Sequence, residues 1–444
     1  MVFDPSKADT LEKQPTTAGG TTMLSKNSDE EKTTSLPNPF DPSQFPDGGT
    51  NAWLCALGGS CCLFASFGWL NCIGVFQNYY STNQLRDYSS STVAWISSLE
   101  IFIMFLGGPF IGKTFDSYGP RWLLLVGTFL HVFGLMMTSL STEYYQFVLA
   151  QGICSPIGAS MVFYPAMNSA TSWFLKKRAL VLGLLAAGSS LGGVIMPIMV
   201  QRLIPRVGFG WAMRSVAFLI LFMLVVANLT VTSRFPHSPK PLVFKEFVRP
   251  FGELPFLLVT IGSFLFFFGM WLPINFIILQ AESTGMSSRL ATYLVPIMNG
   301  ASLFGRVLPG FVGDKIGRFN VMIVLCYFTS IVILALWIPA TSNASVIVFT
   351  ILFGFGQGAF VGMAAALIAQ ISPDSRKIGI RTGVMYAAVS FAVLVGNPIG
   401  GVLAAGNSGY TGLQIFCGVL CTAGSTSIAA ARVFLKGWKL NVKV

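Results

Sequence analysis

The chain has 444 residues, of which 53% are hydrophobic, 13% aromatic and only 10% charged, and its mean hydropathy is +0.68. Soluble globular proteins carry about 25% charged residues, so a soluble enzyme, a disordered scaffold and a nucleic-acid binder are excluded. The net charge of +11 is not a polyanion-binding patch: residues 1–51 hold four Lys against eight acids, and the remaining +15 is spread over the ends of apolar stretches, where Lys and Arg orient membrane helices.

Residues 1–51 are polar, rich in Thr, Ser, Pro, Asp and Lys, and too poor in apolar side chains to offset their ordering entropy. They read as a disordered cytoplasmic tail with no cleavable signal. A hydrocarbon core of ~30 Å needs roughly 20 apolar residues per helix. Six such stretches follow at 52–77, 92–112, 120–140, 144–168, 178–202 and 211–231, within an N-terminal half spanning 52–232. A polar linker at 233–255 leads to six more at 256–280, 289–313, 320–340, 344–369, 380–404 and 411–434. These make a C-terminal half over 256–434, closed by a short cytoplasmic tail at 435–444. The pattern predicts an all-α integral membrane protein of twelve transmembrane helices in two pseudo-symmetric six-helix halves. Beyond residue 51, eighteen basic residues fall in loops and tail on one side and five on the other, which places both termini in the cytoplasm. The plasma membrane is the default location.

The chain repeats internally. Gly112-x-x-x-Asp116-x-x-Gly119-x-Arg121 follows the second stretch, and Gly310-x-x-x-Asp314-x-x-Gly317-Arg318 follows the eighth; the aspartates are 198 residues apart. Glycine permits close helix approach and a tight turn, and each carboxylate sits where it can meet a neighbouring helix N-terminus or an arginine. Two copies at the half-repeat spacing point to a gating clasp in a duplicated transporter; the alternative is ordinary turn chemistry.

With these loops on the page, the sequence resembles the major facilitator superfamily. Pro46-Asp47-Gly48-Gly49, Trp173-Phe174-x-Lys176-Lys177-Arg178, Ala187-Gly188-Ser189-Ser190-Leu191-Gly192-Gly193 and Gly208-x-Gly210-Trp211 narrow the likeness to its monocarboxylate-porter family, the fungal branch in particular, over about residues 46–434. The resemblance implies the twelve-helix major facilitator fold, a monomer, and a cavity lined by helices one, four, seven and ten. It also implies a lysine in the first helix and an Asp–Arg pair in the eighth. Those positions fall on Asn71, Ser302 and Arg306, so one charged group of three is retained.

Arg306 stands out without any family. A charge at a helix centre costs roughly 2.5–3.5 kcal/mol on insertion scales and faces a cavity or a partner, so Arg306 is either a substrate ligand or a structural, snorkelling cation. Glu100 is the one acid well inside a stretch and the candidate to carry a coupling proton; the alternatives are a protonated, hydrogen-bonded spectator, or a pairing with Arg306 or another polar group. On the four cavity-lining helices that the resemblance implies, Asn71, Tyr164, Trp271, Asn275 and Gln357 are the neutral candidates for substrate contact, each equally able to bridge helices. Eight cysteines lie in apolar stretches without zinc-site spacing, so neither a metal nor a disulfide is expected. No nucleotide-binding signature is present, so no cofactor is expected and an ion or substrate gradient supplies the energy. With only two histidines, His131 and His237, a membrane enzyme lacks its constellation. The reading is a secondary active transporter of a small organic anion, a monocarboxylate or carboxylated metabolite, with protons as a possible partner. The alternatives are an exporter of a larger apolar secondary metabolite and a non-transporting sensor.

Overall fold

The computed structural model describes residues 44–237, 239, 243–374, 377–404, 406 and 409–437. Most of residues 1–51, the end of the 435–444 tail, and Lys240 and Arg376 lie outside them. Ten helical segments among the described residues are long and apolar enough to cross a membrane. One of these, Arg178–Thr230, is two helices joined at Gly208, whose φ of 77° breaks the run; a positive φ is costless only for glycine. A further helix, Leu294–Ile316, has 23 residues, enough to cross at 1.5 Å per residue, although Arg306, Asp314 and Lys315 dilute its apolar content.

The twelve are α1 (Thr50–Thr82), α2 (Thr92–Tyr118), α3 (Arg121–Thr138), α4 (Tyr144–Trp173), α5 (178–207) and α6 (209–230). The second half contains α7 (Leu254–Ser283), α8 (Leu294–Ile316), α9 (Arg318–Trp337), α10 (Asn343–Gln370), α11 (Ile378–Ala404) and α12 (Tyr410–Lys436). Local chemistry sets several starts. Ser89 accepts from the Thr92 N–H, Glu143 with Gln146 forms a capping box at α4, and Pro255 opens α7, where a missing N–H is harmless. Asn343-Ala-Ser345, which reads as a glycosylation sequon, begins α10, and Ser345 is engaged in its capping box with Ser342.

Within each half, α3 packs on α4, α8 on α10, and α7 on α12. Between the halves, α2 meets α11 and α5 meets α8; the repeat relates these two interfaces. Both are made by small residues. A methyl at Gly112 would lie 2.5 Å from the Gly379 carbonyl on α11, and one at Gly310 would lie 2.6 Å from the Ala179 carbonyl on α5. Lipid offers no hydrophobic drive between helices, so such backbone approach supplies the association. His131 is spent within its half, its ring nitrogens 2.9 Å from Ser155 Oγ and 3.1 Å from the Ala65 carbonyl.

Candidate functional site

The face bearing the two aspartate loops is tied first. Asp314 accepts from the Ala179 and Leu180 N–H groups at 3.2 and 2.9 Å, so it caps the N-terminus of α5 in the other half. Arg318 donates to the same carboxylate at 2.9 Å and to the Leu175 carbonyl at 3.0 Å. Gly317, at φ 112°, makes the turn that brings them together. Asp116 does the equivalent for α11, accepting from the Ile380 N–H, with Gly119 at φ 78° ending its helix. Arg121 stands exposed at the start of α3 and joins no hydrogen bond described to Asp116. Lys113 instead meets Glu246 of the linker at 2.6 Å, and Arg381 of α11 holds Glu253 bidentately at 2.9 and 2.7 Å. The Asp47 carboxylate accepts from the N–H groups of Leu175, Lys176 and Lys177, so two of the sequence motifs close on each other.

Deeper in the bundle than the clasps, aromatic rings join the halves. Phe105 of α2 lies 5.2 Å from Tyr386 of α11 and 5.9 Å from Phe267 of α7. Phe163 of α4 lies 5.6 Å from Tyr386, and Phe67 of α1 lies 5.0 Å from Phe163. Phe360 of α10 completes the run, 5.3 Å from Phe267. Tilted and edge contacts at 4.5–7 Å are the favourable arrangements for such rings.

The candidate ligands distribute around this layer. Arg306 is buried and crosses to α5, donating through Nη1 to the Ala186 carbonyl at 2.6 Å and to Ser189 Oγ. Its Nε is buried without an acceptor among the described residues, as is the indole Nε1 of buried Trp271. Tyr164 donates to the Phe105 carbonyl at 2.9 Å, and Gln357 donates to Ser302 at 3.1 Å, so both bridge helices inside their own half. Asn71 accepts from Asn299 of α8 at 3.0 Å. Asn275 donates to Asn397 of α11 at 2.7 Å, which in turn donates to Ser98 of α2 at 3.3 Å.

Glu100 does not meet Arg306. Its Oε1 accepts from the Trp69 indole at 2.5 Å and its Oε2 from Gln151 at 3.1 Å, while Tyr80 donates to Gln151 at 2.7 Å. Gln151 lies in a π-helical stretch of α4, Val148–Cys154, a local widening of the helix frequent at functional positions. Sequence reasoning missed Trp69, Gln151, Asn299 and Asn397. An amide inside an apolar stretch is a usable signal for three of them; for Trp69 only the opposing acid reveals a role.

The sequence matches the profile of the Major Facilitator Superfamily over residues 57–345 and 259–437. It is 58% identical to MFS-type transporter 1 of an Ophiocordyceps species over 92% of this chain and 91% of that protein. It is 47% identical to the fujikurins efflux protein of Gibberella fujikuroi, covering 87% of this chain and 84% of the relative. The crystal structure of the human organic anion transporter MFSD10 shares the fold, with a TM-score of 0.67 at 14% identity, over 85% of this chain and 98% of that one. This multi-pass membrane protein is a transporter, not an enzyme, and the chain belongs to the major facilitator superfamily.

Proposed function

We propose that the protein exports an apolar, ring-bearing secondary metabolite by alternating access, as a monomer in the plasma membrane with its aspartate-clasped face and both termini in the cytoplasm. The observation that carries this reading is the aromatic layer between the halves, six rings from six helices. A ligand with its own rings replaces those contacts as the halves part, so the barrier to opening falls. The free donors on Trp271 and Arg306 select for a ligand that brings a carbonyl or acidic oxygen, because an unfilled buried donor carries a desolvation penalty. Asn71 and Asn275 stand between this layer and the opposite face, on the ligand's way out. A relative named as an efflux protein supports the outward direction.

Glu100 is the proton-coupling group in this reading. It is buried, held by neutral donors, and separate from the ligand path, so proton and metabolite need not compete for one site. The second reading, transport of a small organic anion of the monocarboxylate type, is favoured by Arg306, which can accept a carboxylate. Ser302 in place of the family's aspartate leaves no acid one turn away to complete that site.

The test is efflux from proteoliposomes of a panel running from lactate to multi-ring aromatic polyketides, with and without a proton gradient. Movement of the ring-bearing compounds, lost on Phe267→Ala and reduced on Arg306→Ala, supports export of the apolar class. Movement of lactate alone, indifferent to Phe267→Ala, overturns it in favour of the anion reading.

A further inference from the structure

The face opposite the clasps has its own cross-half contacts. Asn299 is 15 residues before Asp314 on α8, which is ~22 Å along the helix axis. Its Nδ2 reaches Asn71 Oδ1 at 3.0 Å. The contact is packed: a methyl at Gly193 of α5 would lie 2.7 Å from Asn299 and 2.9 Å from Asn71. A second contact joins Asn397 to Ser98, with Asn275 bonded behind it. Each is a bond between neutral groups, weaker than the charge-assisted bonds of Asp314. Those charged bonds hold one face while neutral bonds close the other.

The Asn71 contact hangs on an interruption in α1. Regular helix stops at Ala65, a single turn covers Phe67–Leu70, and the helix restarts at Ile73. Across the gap the N–H groups of Asn71 and Cys72 bond three residues back, to Gly68 and Trp69. The Asn71 side chain fills a vacated acceptor, donating to the Phe67 carbonyl at 2.9 Å, and this fixes its oxygen toward Asn299. What ties that turn to the rest of its half is the 2.5 Å bond from the Trp69 indole to Glu100. Ser98, in the second contact, lies two residues before Glu100 on the same helix.

We infer that the Asn71–Asn299 and Asn397–Ser98 contacts form the gate of the face opposite the clasps, and that Glu100, through Trp69, holds the α1 turn that presents Asn71. The carboxylate takes one N–H from Trp69 and one from Gln151. The titratable groups facing it are the Cys72 thiol and the Tyr80 hydroxyl of α1; α4 presents the neutral Gln151. No salt bridge to Glu100 occurs among the described residues. Removing the negative charge weakens the Trp69 bond, frees the turn and lets Asn71 leave Asn299. Trp69 is a positioning residue here, and Asn299 and Asn397 are gate residues. The inference rests on alternating access but not on the identity of the metabolite or on proton coupling, because the gate is read without substrate.

The experiment uses the full chain in nanodiscs with spin labels at Thr82→Cys and Ser288→Cys, exposed positions on this face in opposite halves. The parent chain without these two cysteines sets the labelling background. The expected result is a longer-distance population in Asn299→Ala and in Asn397→Ala that the wild type lacks. Glu100→Gln and Trp69→Phe are expected to produce the same population. Adding Glu100→Gln to Asn299→Ala is expected to change nothing further, since both act on one contact. Unchanged distances in folded Asn299→Ala and Asn397→Ala overturn the gate. Additive shifts in the double variant overturn the link from Glu100, and so does a shift in Glu100→Gln without one in Trp69→Phe.

Discussion

The α8–α9 loop and the α2–α3 loop carry the same glycine–aspartate motif, and each aspartate caps a helix of the other half, Asp314 on α5 and Asp116 on α11. The two differ in what stands beside the carboxylate. Arg318 follows Asp314 by four residues and closes on it. Arg121 follows Asp116 by five, because Pro120 is inserted after the glycine, and it points to the surface instead. The α2 side recruits its charges from the linker, through Lys113–Glu246 and Arg381–Glu253. One clasp is therefore self-contained, and the other depends on the segment that joins the halves. A repeat conserves the backbone contact but not the electrostatics around it.

The largest test of this difference is Asp314→Asn. The Asp314 and Arg318 side chains are only 9% and 12% exposed, and breaking a buried pair costs about 3 kcal/mol or more. The clasped conformation should lose about a hundredfold in population at 1.4 kcal/mol per decade, read as a fall in transport rate and in thermal midpoint. Asp116→Asn keeps an acceptor for Ile380 and has no arginine to orphan, so a loss as large as that of Asp314→Asn would erase the distinction.

Glycine substitution should instead show the two sides alike. Gly112→Ala and Gly310→Ala each push a methyl against a backbone carbonyl across the interface, which is worth about 1–3 kcal/mol of overpacking. Thermal midpoints that fall by similar amounts would confine the asymmetry to charge. A large difference between the pair would move it into the packing.

Arginine removal comes next. Arg318→Ala should cost transport about tenfold, ~1.4 kcal/mol, while Arg121→Ala should stay within about 0.5 kcal/mol of wild type, as surface substitutions do. Equal losses from the two would mean that Arg121 reaches Asp116 during the cycle.

The smallest effect concerns the linker. His237 packs edge-on to Phe115, with ring centroids 5.4 Å apart, and its Nδ1 faces the Asp116 carbonyl at 3.4 Å. Burial holds its pKa below the ordinary 6.5, the carbonyl opposing in part. The docked linker thus binds fewer protons than the released one. Docking should be at full strength above pH 6.5 and weaken as pH falls toward the docked value. Hydrogen exchange at residues 233–237, corrected for intrinsic rates, should rise between pH 7.5 and roughly pH 5.5, and His237→Gln should flatten the profile.

Much of the architecture was readable from periodicity and punctuation. Apolar stretches interrupted by loops gave the helices, and Gly112, Asp116, Gly310 and Asp314 marked the two repeated loops because a glycine-bounded turn is a local signal; that each carboxylate caps a helix of the other half is a long-range contact. Arg306 and Glu100 were visible because a charge inside an apolar stretch is expensive. Their partners were not visible. Arg306 reaches the α5 backbone and Glu100 reaches Trp69 and Gln151, choices set by how each helix is rotated against its neighbours. Helix boundaries shifted for a similar reason: α5 runs past position 202 to Gly208, because Pro205 is carried within the helix.

Composition alone determined that this chain lives in a bilayer, and its internal repeat that it folds as two related halves. Those conclusions follow from the solvation of side chains and from local backbone geometry, which depend little on distant residues. Only the tertiary structure decided which of two equivalent arginines closes a clasp, and which amides meet across the halves. Such contacts turn on one inserted residue or one altered helical turn, and a hydrogen bond is lost within about an ångström of misplacement.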